Sequence, residues 1–335
     1  MVWVICGWRA ATEIDMRVWE RWMRTPQTLW VRRAAFQIHL WAGIAIGLYL
    51  VMICLTGSVL VYRNDLYRAF SPEPVIVDGA GRALTPEALT ASAERDYPAY
   101  DVVDLRGGNT PNHAVEISLV AGARTIRRLF HPFTGEDLGH PLPLGYRAAA
   151  WTLDLHDNLL GGSTGRRING IGAVFFIVLS VTGAVIWWPG IRRWRRSLTP
   201  DLNGSWWRLN WSLHSAFGFW FLPFVLIWGV SGVYFSFPEM FSAVVEYLEP
   251  FDPSDPTDRI GDRVLYWLAY LHFGRLGGRG IPGCERGLCD GTTKAIWAVA
   301  GLAPLVMLVT GVLMWWNRVL RRAPEPRKQE IPNRT

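Results

Sequence analysis

Four apolar stretches without a single Asp, Glu, Lys or Arg constrain the fold of this chain more than any other feature. Each is long enough to cross a hydrocarbon core of about 30 Å as a helix that rises about 1.5 Å per residue. We therefore predict an α-helical integral membrane protein with four transmembrane helices, which excludes a single soluble domain, a disordered chain and a fibre. The four stretches are 36–62, 169–189, 211–237 and 295–317.

The distribution of basic residues predicts the orientation of these helices. Three segments, 1–35, 191–209 and 318–335, hold 17 of the 34 Lys and Arg residues, and such an excess marks the cytoplasmic side. Both termini are therefore predicted to be cytoplasmic. The segments 63–168 and 238–294 then face outward, which in a bacterial inner membrane means the periplasm. The net charge of +6 follows from this topology, so it does not indicate a nucleic-acid partner.

The chain contains an internal repeat. His39 and His214 each stand 18 residues before a glycine within similar apolar sequences, so the first and third spans are gap-free copies. His156 and His272 each stand five residues before a Gly-Gly pair, and SVTGAVIWW in the second span matches LVTGVLMWW in the fourth. We predict two parallel repeats of two helices, related by a pseudo-two-fold axis along the membrane normal.

Each of the four apolar stretches also carries a pair of small residues. Close packing of helices through small side chains is sufficient to explain them. The pairs are Thr56-Gly57, Thr182-Gly183, Ser231-Gly232 and Thr310-Gly311.

Four of the seven histidines occupy matching positions in the two repeats. A pseudo-two-fold axis would bring His39 to His214, and His156 to His272. Zinc would need further ligands, and no Cys or carboxylate lies near the first two, whereas haem iron takes only two axial ligands. Any one of these histidines alone could be an interfacial residue bonded to the backbone or to a lipid headgroup, but the duplication favours ligation.

We therefore predict two b-type haems, since the sequence has no CxxCH for covalent attachment. One haem would lie near the cytoplasmic face and the other, held by His156 and His272, at the periplasmic face. Two axial histidines leave no open position on the iron, which favours electron transfer over oxygen chemistry.

Two further predictions concern the external segments. Arg166, Arg167 and Arg275 lie close in sequence to the proposed ligands of the outer haem, where they could bind its propionates, although arginines at headgroup level would explain them equally. Cys284 and Cys289 share an external loop, and we predict a periplasmic disulfide between them.

The segment after the first span predicts an α+β domain. Thr85-Pro86 is a helix start, and the helix is expected to run to about Asp96. The alternation of Val115, Ile117 and Leu119 predicts a half-buried strand, and Ala121-Gly122 turns the chain into a second strand at 124–131.

This segment resembles the PepSY domain, through LTPEALTASAERDYP followed by strands and LFHPFTGEDLG, in which His131 stands where Asp is usual. The segment LHDNLLGG and the second and fourth spans, which carry Thr-Gly followed by Trp-Trp, extend the similarity. Residues 32–322 as a whole resemble the PepSY-associated transmembrane helix family. Relatives in that family are haem-containing inner-membrane reductases that release iron from ferric siderophores in the periplasm. The resemblance implies the same architecture and supports the four histidines as haem ligands.

The resemblance and the apolar stretches together predict nine segments. They are a cytoplasmic N-terminal segment (1–35), transmembrane helix 1 (36–62), a periplasmic PepSY-like domain (63–150), a periplasmic His segment with transmembrane helix 2 (151–190), a cytoplasmic loop (191–210), transmembrane helix 3 (211–237), a periplasmic loop with the second His segment (238–294), transmembrane helix 4 (295–317) and a cytoplasmic tail (318–335).

Three functions are compatible with the sequence. The first is an oxidoreductase that carries electrons across the membrane to a periplasmic ferric siderophore or other ferric chelate. Its donor would be a cytoplasmic flavoprotein or the quinone pool, because the GxGxxG match at 278–283 lacks a preceding strand and a following helix. The second is a non-enzymatic, membrane-anchored PepSY module that binds periplasmic proteins. The third is a transporter, which the absence of acidic residues from the four stretches disfavours.

Overall fold

The structure is a computed structural model, and it describes residues 18–79, 82–107, 110–122, 124–252, 259–274 and 288–319. The chain divides into two compact units. We call Met1–Val61 with Leu153–Thr335 the helical unit, and Tyr62–Thr152 the sheet unit.

The described chain is mostly helical, with one small sheet and two short 3₁₀ turns at Pro26–Thr28 and Trp194–Ser197. The strands are β1 (Asp101–Arg106), β2 (Val115–Ala121), β3 (Arg124–Phe130) and β4 (Asp137–Gly139). The helices in chain order are α1 (Trp30–Leu60), α2 (Arg63–Ala69), α3 (Pro86–Asp96), α4 (Leu144–Asn158), α5 (Gly162–Trp187), α6 (Trp206–Ser236), α7 (Pro238–Leu248), α8 (Ile260–His272), α9 (Leu288–Ala300) and α10 (Ala303–Val319).

The prediction of four helices long and apolar enough to cross a membrane is confirmed. They are α1, α5, α6 and the stretch Asp290–Arg318, which α9 and α10 form together. Their ends differ from those of the apolar stretches because a helix continues into its polar flanks. The first begins at Trp30 instead of residue 36 and so includes Arg32 and Arg33. The exposed Arg33 can carry its charge toward water, and Arg32 donates to Ile186 O.

The fourth span is interrupted, which the apolar pattern does not reveal. Gly301 and Leu302 form a turn between α9 and α10. Pro304 explains the break, because its ring has no N–H and would clash with the carbonyl of Ala300 in a continuous helix. Pro304 falls instead in the first turn of α10, where an N–H is not needed.

The spans pack through small residues. The helix α5 contacts both α1 and α6, and α10 contacts the same two helices. A methyl group at Gly47 of α1 would collide with Leu308 of α10, and one at Gly172 of α5 would collide with the Tyr49 ring. Glycine at these two positions therefore permits the close approach that drives helix association in a membrane.

The sheet unit is an α+β structure in which the four strands pair antiparallel in sequence order. The helix α3 begins where the sequence predicts, with the Thr85 side chain accepting a hydrogen bond from the Ala88 N–H. The predicted strands are also confirmed, with the second ending at Phe130. Gly122 has a φ of +59° in the turn between them, a conformation that glycine adopts without strain.

The core of this unit lies between α3 and the sheet. Ile117 and Leu119 on β2 and Phe130 on β3 are fully buried against Leu89 and Ala93 of α3. The alternation along β2 sets this arrangement, because successive side chains of a strand point to opposite faces.

A charged cluster joins β3 to β4. Arg128 donates to both carboxylate oxygens of Asp137, at 2.7 to 3.2 Å, and the Tyr97 hydroxyl donates to the same group at 2.5 Å. Burial alone would raise the pKa of Asp137, but these bonds and one from the Gly139 N–H outweigh it and hold the pKa below its usual value.

Candidate functional site

The structure brings the four repeat-matched histidines together as two pairs. His39 of α1 and His214 of α6 form the first pair, with ring centroids 6.3 Å apart and ring planes at 87°. His156 near the end of α4 and His272 at the end of α8 form the second pair, with centroids 6.2 Å apart and planes at 63°. All four belong to the helical unit.

These separations fit two imidazoles on opposite sides of one metal ion. A bond from iron to an imidazole nitrogen is about 2 Å long and the nitrogen lies roughly 1.1 Å from the centroid of its ring, so two axial rings have centroids about 6.2 Å apart. Within the described residues no three or more His, Cys, Asp and Glu side chains cluster to hold a metal ion. Two protein ligands per site suit haem, whose porphyrin supplies the other four.

Each histidine forms a hydrogen bond through Nδ1 to a hydroxyl on another helix. The four hydroxyls are those of the small pairs that the sequence predicts to serve packing, so that interpretation was incomplete. The Nδ1 to oxygen distances are 3.3 Å for His39 and Thr182, 2.9 Å for His214 and Thr310, 3.0 Å for His156 and Thr56, and 2.6 Å for His272 and Ser231.

The hydroxyls also fix the tautomer of the histidines. Each hydroxyl has one proton, and each donates it to the carbonyl four residues earlier in its own helix, for example from Ser231 to Ile227 O at 2.5 Å. The hydroxyl oxygen can then accept from the histidine Nδ1–H. This direction is required at His39 and His156, whose Nδ1 atoms also lie 3.0 Å from Leu179 O and Ile53 O, because a carbonyl oxygen only accepts. A neutral ring protonated at Nδ1 keeps its lone pair on Nε2, which is the state that a metal ligand needs.

The glycines of the small pairs leave room for three of the rings. An added Cβ at Gly57 would lie 2.9 Å from His156 Cε1, one at Gly183 would lie 3.1 Å from His39 Cε1, and one at Gly311 would lie 3.4 Å from His214 Cε1. At Gly232 the neighbour is Ala173 Cβ instead. The small pairs thus supply a hydroxyl and, at three positions, a gap for the imidazole.

A strained turn positions His156 at the end of α4. Leu159 and Leu160 both have positive φ values, 52° and 59°, a conformation that side chains with a Cβ rarely adopt and that clusters at functional sites. The side-chain amide of Asn169 donates through Nδ2 to His156 O at 2.7 Å. The Tyr49 hydroxyl donates to Oδ1 of the same amide at 2.5 Å. This chain of bonds ties the turn to α5 and α1.

Burial lowers the pKa of both histidines of the second pair. For His156 a hydrogen bond to Ile53 O opposes the effect of burial, and for His272 the neighbouring His156 adds to it. Both rings are consequently neutral at pH 7, in agreement with the tautomer that the hydroxyls impose.

The two pairs lie at different levels of the helical unit. Thr56 and Ser231, which bond to the second pair, each stand 17 residues after a histidine of the first pair on the same helix. At about 1.5 Å per residue this corresponds to about 25 Å along the helix axis, most of the roughly 30 Å of a hydrocarbon core.

Aromatic side chains fill the interval between these levels on α6. Phe217, Phe221, Phe224 and Trp228 follow His214 at steps of three and four residues, so they share the face that carries His214 and Ser231. Neighbouring rings along this row are 5.6 to 6.1 Å apart between centroids, and Trp297 of α9 lies 5.5 Å from Phe224. We call these five side chains the aromatic row.

A comparison with protein families finds one match. The family described as PepSY-associated TM region matches residues 36–259 and 248–318, and so most of the chain. The chain belongs to the PepSY-associated TM family. This confirms the resemblance that the sequence motifs indicate. A search of curated proteins finds no match.

The other side chains predicted to serve this PepSY-associated TM protein are only partly described. Arg166 forms an ion pair with Asp157, to which its Nε donates at 3.2 Å, and Arg167 is exposed on α5. Arg275 and Cys284 lie outside the described residues, as does the side chain of Cys289, so the propionate role of Arg275 and the disulfide stay predictions.

The three histidines of the sheet unit serve local turns. His131 Nδ1 accepts from the N–H groups of Phe133 and Thr134, both at 3.2 Å, and so takes the role that a carboxylate would have at the position where PepSY sequences usually carry Asp. His113 and His140 likewise accept backbone N–H bonds through Nδ1.

Proposed function

We propose that this PepSY-associated TM protein is an inner-membrane oxidoreductase that binds two b-type haems and carries electrons to a periplasmic ferric complex, a ferric siderophore or another ferric chelate, in iron acquisition. The observation that carries the proposal is the two imidazole pairs, whose centroid separations suit two ligands of one iron. The Nδ1 atom of each ring bonds to a hydroxyl, which leaves Nε2 available for a metal. The family relationship supports the membrane location.

The side chains have distinct roles in this proposal. His39 with His214, and His156 with His272, would hold the two haems through Nε2, and the four hydroxyls orient these rings. When bound, each haem supplies an iron that cycles between the ferric and ferrous states. With two histidines of the chain holding each iron, the acceptor would receive electrons without bonding to the iron. No acid or base of the protein would then be required for the reduction.

The arrangement of the two sites supports transfer across the membrane. The two levels are about 25 Å apart along the bundle, and the aromatic row occupies the interval on the face of α6 that both pairs share. Conjugated rings in near contact provide a better electronic path than aliphatic side chains. The row thus gives a physical reason for combining the two sites in one helical unit.

The orientation and the repeat belong to the same proposal. The basic residues at 1–35, 191–209 and 318–335 support an orientation with both termini in the cytoplasm and the PepSY-like sheet unit in the periplasm. The first pair then faces a cytoplasmic or quinone donor, and the second faces the ferric acceptor. A reporter fused after Thr335 should be active only in the cytoplasm, and one inserted at Gly107 only in the periplasm; the reverse result would overturn this orientation.

The test of the function begins with the protein purified in detergent from haem-replete cells. Pyridine-haemochrome analysis should give about two haems b per chain, and dithionite should convert the absorption spectrum to that of ferrous low-spin haem. In proteoliposomes with a reductant inside and a ferric chelate outside, ferrous iron should form outside only when the protein is present.

A matched control separates haem transfer from leakage. Replacement of all four histidines of the two pairs by Ala should remove the haems and abolish ferric reduction. A colourless wild-type protein, or full reduction by the four-fold variant, would contradict the proposal. The membrane-anchored PepSY binding module would then be the better account.

A further inference from the structure

Three side-chain nitrogens in the part of the chain that the structure describes are buried and lack a hydrogen-bond partner. They are Arg32 Nε, Trp187 Nε1 and Trp315 Nε1. More than about nine tenths of such buried groups are hydrogen-bonded in folded proteins. Guanidinium and indole groups are donors only, so the missing partner in all three cases is an acceptor.

Arg32 lies on the same side of α1 as the first His pair. It precedes His39 by seven residues, with Phe36 between them at the intervening turn, so the three residues share one helix face. Its Nη2 donates to Ile186 O at 2.5 Å, which holds the guanidinium against the end of α5, beside Trp187.

Both tryptophans lie one helical turn beyond the first His pair. Trp187 follows Gly183 by four residues, and Trp315 follows Gly311 by four. These glycines are the positions at which an added Cβ would touch His39 and His214. Because residues four apart share a helix face, both tryptophans lie on faces that border the first pair, one turn nearer than Gly183 and Gly311 to the end of the bundle at which Arg32 lies. The Trp187 ring stacks on Phe219 of α6, with centroids 4.3 Å apart.

The surroundings favour an oxygen acceptor with negative charge. The Arg318 guanidinium stacks on the Phe36 ring at 4.6 Å, which places a second cation at this end. Other tryptophans of the bundle do have a hydrogen-bond partner: Trp188 Nε1 donates to Trp22 O at 3.1 Å. Among the buried side-chain nitrogens and oxygens that the structure describes, the three without partners all belong to residues near the first His pair.

We propose that Arg32, Trp187 and Trp315 form a binding site for the acceptor oxygens of a flat conjugated ligand at the end of the helical unit next to His39 and His214. This inference rests on the proposed function and names a new part of its machinery. Two ligands present such oxygens: the haem of the first pair, through its propionate carboxylates, and a quinone electron donor, through its ring carbonyls.

The test removes the N–H donors and keeps the aromatic rings. The variant combines Trp187→Phe with Trp315→Phe, and a second variant, Arg32→Met, removes the guanidinium while keeping a long side chain. The control is Trp316→Phe, since the Trp316 side chain is 54% exposed. For each full-length protein we would measure the haem content, the midpoint potential of each haem as a function of pH, and the affinity for decylubiquinone by calorimetry.

The two ligand sources give different results. If the donors bind propionates, both test variants should lower the midpoint potential of one haem, because an unpaired carboxylate stabilises ferric iron, and the pH at which that potential begins to depend on pH should rise. If the donors bind a quinone, the potentials should stay unchanged while the affinity for decylubiquinone falls severalfold. The control should match the wild type in all three measurements.

Unchanged potentials together with unchanged quinone affinity in both test variants would overturn the inference and leave the proposed function intact. A wild-type protein without haem would contradict the proposed function. The calorimetric titration on that same colourless protein would still decide the inference, since decylubiquinone binding that is weakened in the variants supports it and no binding refutes it.

Discussion

At the scale of single residues, the four hydroxyls matter because they determine which nitrogen of each histidine is free. A hydroxyl that has already donated its proton to its own helix offers only lone pairs. The imidazole must then donate from Nδ1, and Nε2 is left for a metal. A Thr or Ser within a membrane helix is thus not merely a small residue that permits packing.

We expect Ser231→Ala to weaken haem retention at the second pair, because Ser231 is the hydroxyl partner of His272. Loss of such a supporting bond commonly costs about 10-fold to 100-fold in metal affinity. The measurement is the rate at which apomyoglobin extracts haem from the purified protein. Ser180→Ala is the control, since Ser180 is a buried serine with the same bond to its own helix, to Phe176 O, but without a His partner. Equal extraction rates in the two variants would contradict this role.

The sequence predicted the two histidine pairs but not the hydroxyls that bond to them. The histidines stand out because duplication places rare ionisable residues at matching positions of apolar helices. The hydroxyl of Thr182 is equally duplicated, yet Thr-Gly is also what helix packing selects, and only the distance of 3.3 Å to His39 Nδ1 distinguishes the two roles. The ion pair of Arg166 with Asp157 was also not predicted, because several charged groups lie equally near along the chain. The propionate role of Arg166 stays a prediction.

At the scale of elements, the helix and strands of the sheet unit could be predicted from patterns among neighbouring residues. The start of α3 depends on a capping threonine and a proline in the first turn, and β2 depends on alternation, both of which are properties of adjacent residues. The bond between β3 and β4 through Arg128 and Asp137 was not predictable, because it depends on the register of two strands.

The pH dependence of the sheet unit should reveal this bond. The folded state holds the pKa of Asp137 below its unfolded value of about 3.9, so the bond stabilises the fold above that pH and is lost as the pH falls through the folded value. Asp137→Asn should lower protection of the β3 and β4 amides against hydrogen exchange at pH 7 by about 1–3 kcal/mol. The difference from wild type should shrink as the pH falls below the unfolded pKa and should vanish below the folded pKa of Asp137.

Asp104→Asn provides the comparison for this measurement. Its ion pair with Arg106 is exposed, and exposed pairs contribute about 0–1 kcal/mol. Hydrogen exchange of peptides from the full-length protein, corrected for the intrinsic effect of pH, distinguishes the two positions. If Asp104→Asn and Asp137→Asn have the same effect, the special role of Arg128 and Tyr97 around Asp137 is wrong.

The aromatic row is a property of one helix face and makes an element-scale prediction. Replacing Phe221 and Trp228 together by Leu should leave both haems bound but slow electron transfer between them severalfold, because aliphatic side chains are poorer electronic bridges. Stopped-flow oxidation of the pre-reduced protein by a ferric chelate, followed at the absorption of each haem, measures this rate. Trp220→Leu serves as the control, since Trp220 is 59% exposed on the same helix. Equal rates in both variants would exclude the row as a path.

At the scale of the whole molecule, the first His pair depends on every membrane-spanning element. His39 lies on α1 and bonds to Thr182 of α5, while His214 lies on α6 and bonds to Thr310 of α10. The apolar pattern predicts each of these helices separately, but it carries no information on which helices are neighbours. The repeat supplied that information in advance, because matching positions near a two-fold axis must meet each other.

The separability of the two pairs tests this dependence most directly. If His39 with His214 and His156 with His272 each hold one haem, then Ala at both members of one pair should remove one haem and leave the other. The single variants should also sort by pair: His39→Ala and His214→Ala should perturb the same spectral component, and the remaining two should perturb the other.

The pair with ring planes at 87° should give the more anisotropic ferric low-spin EPR signal. This signal should be absent from the His214→Ala variant.

The same variants also test whether the two haems act in series. Loss of either pair should abolish transfer from a cytoplasmic donor to a periplasmic ferric chelate, because the remaining site spans only part of the roughly 30 Å of apolar core. Loss of the first pair alone should leave the second haem reducible by dithionite added from the periplasmic side. If His39→Ala and His156→Ala instead removed one and the same haem, haem binding would stand but the pairing across the axis would be wrong, since the rings 6.2 and 6.3 Å apart would then belong to different irons.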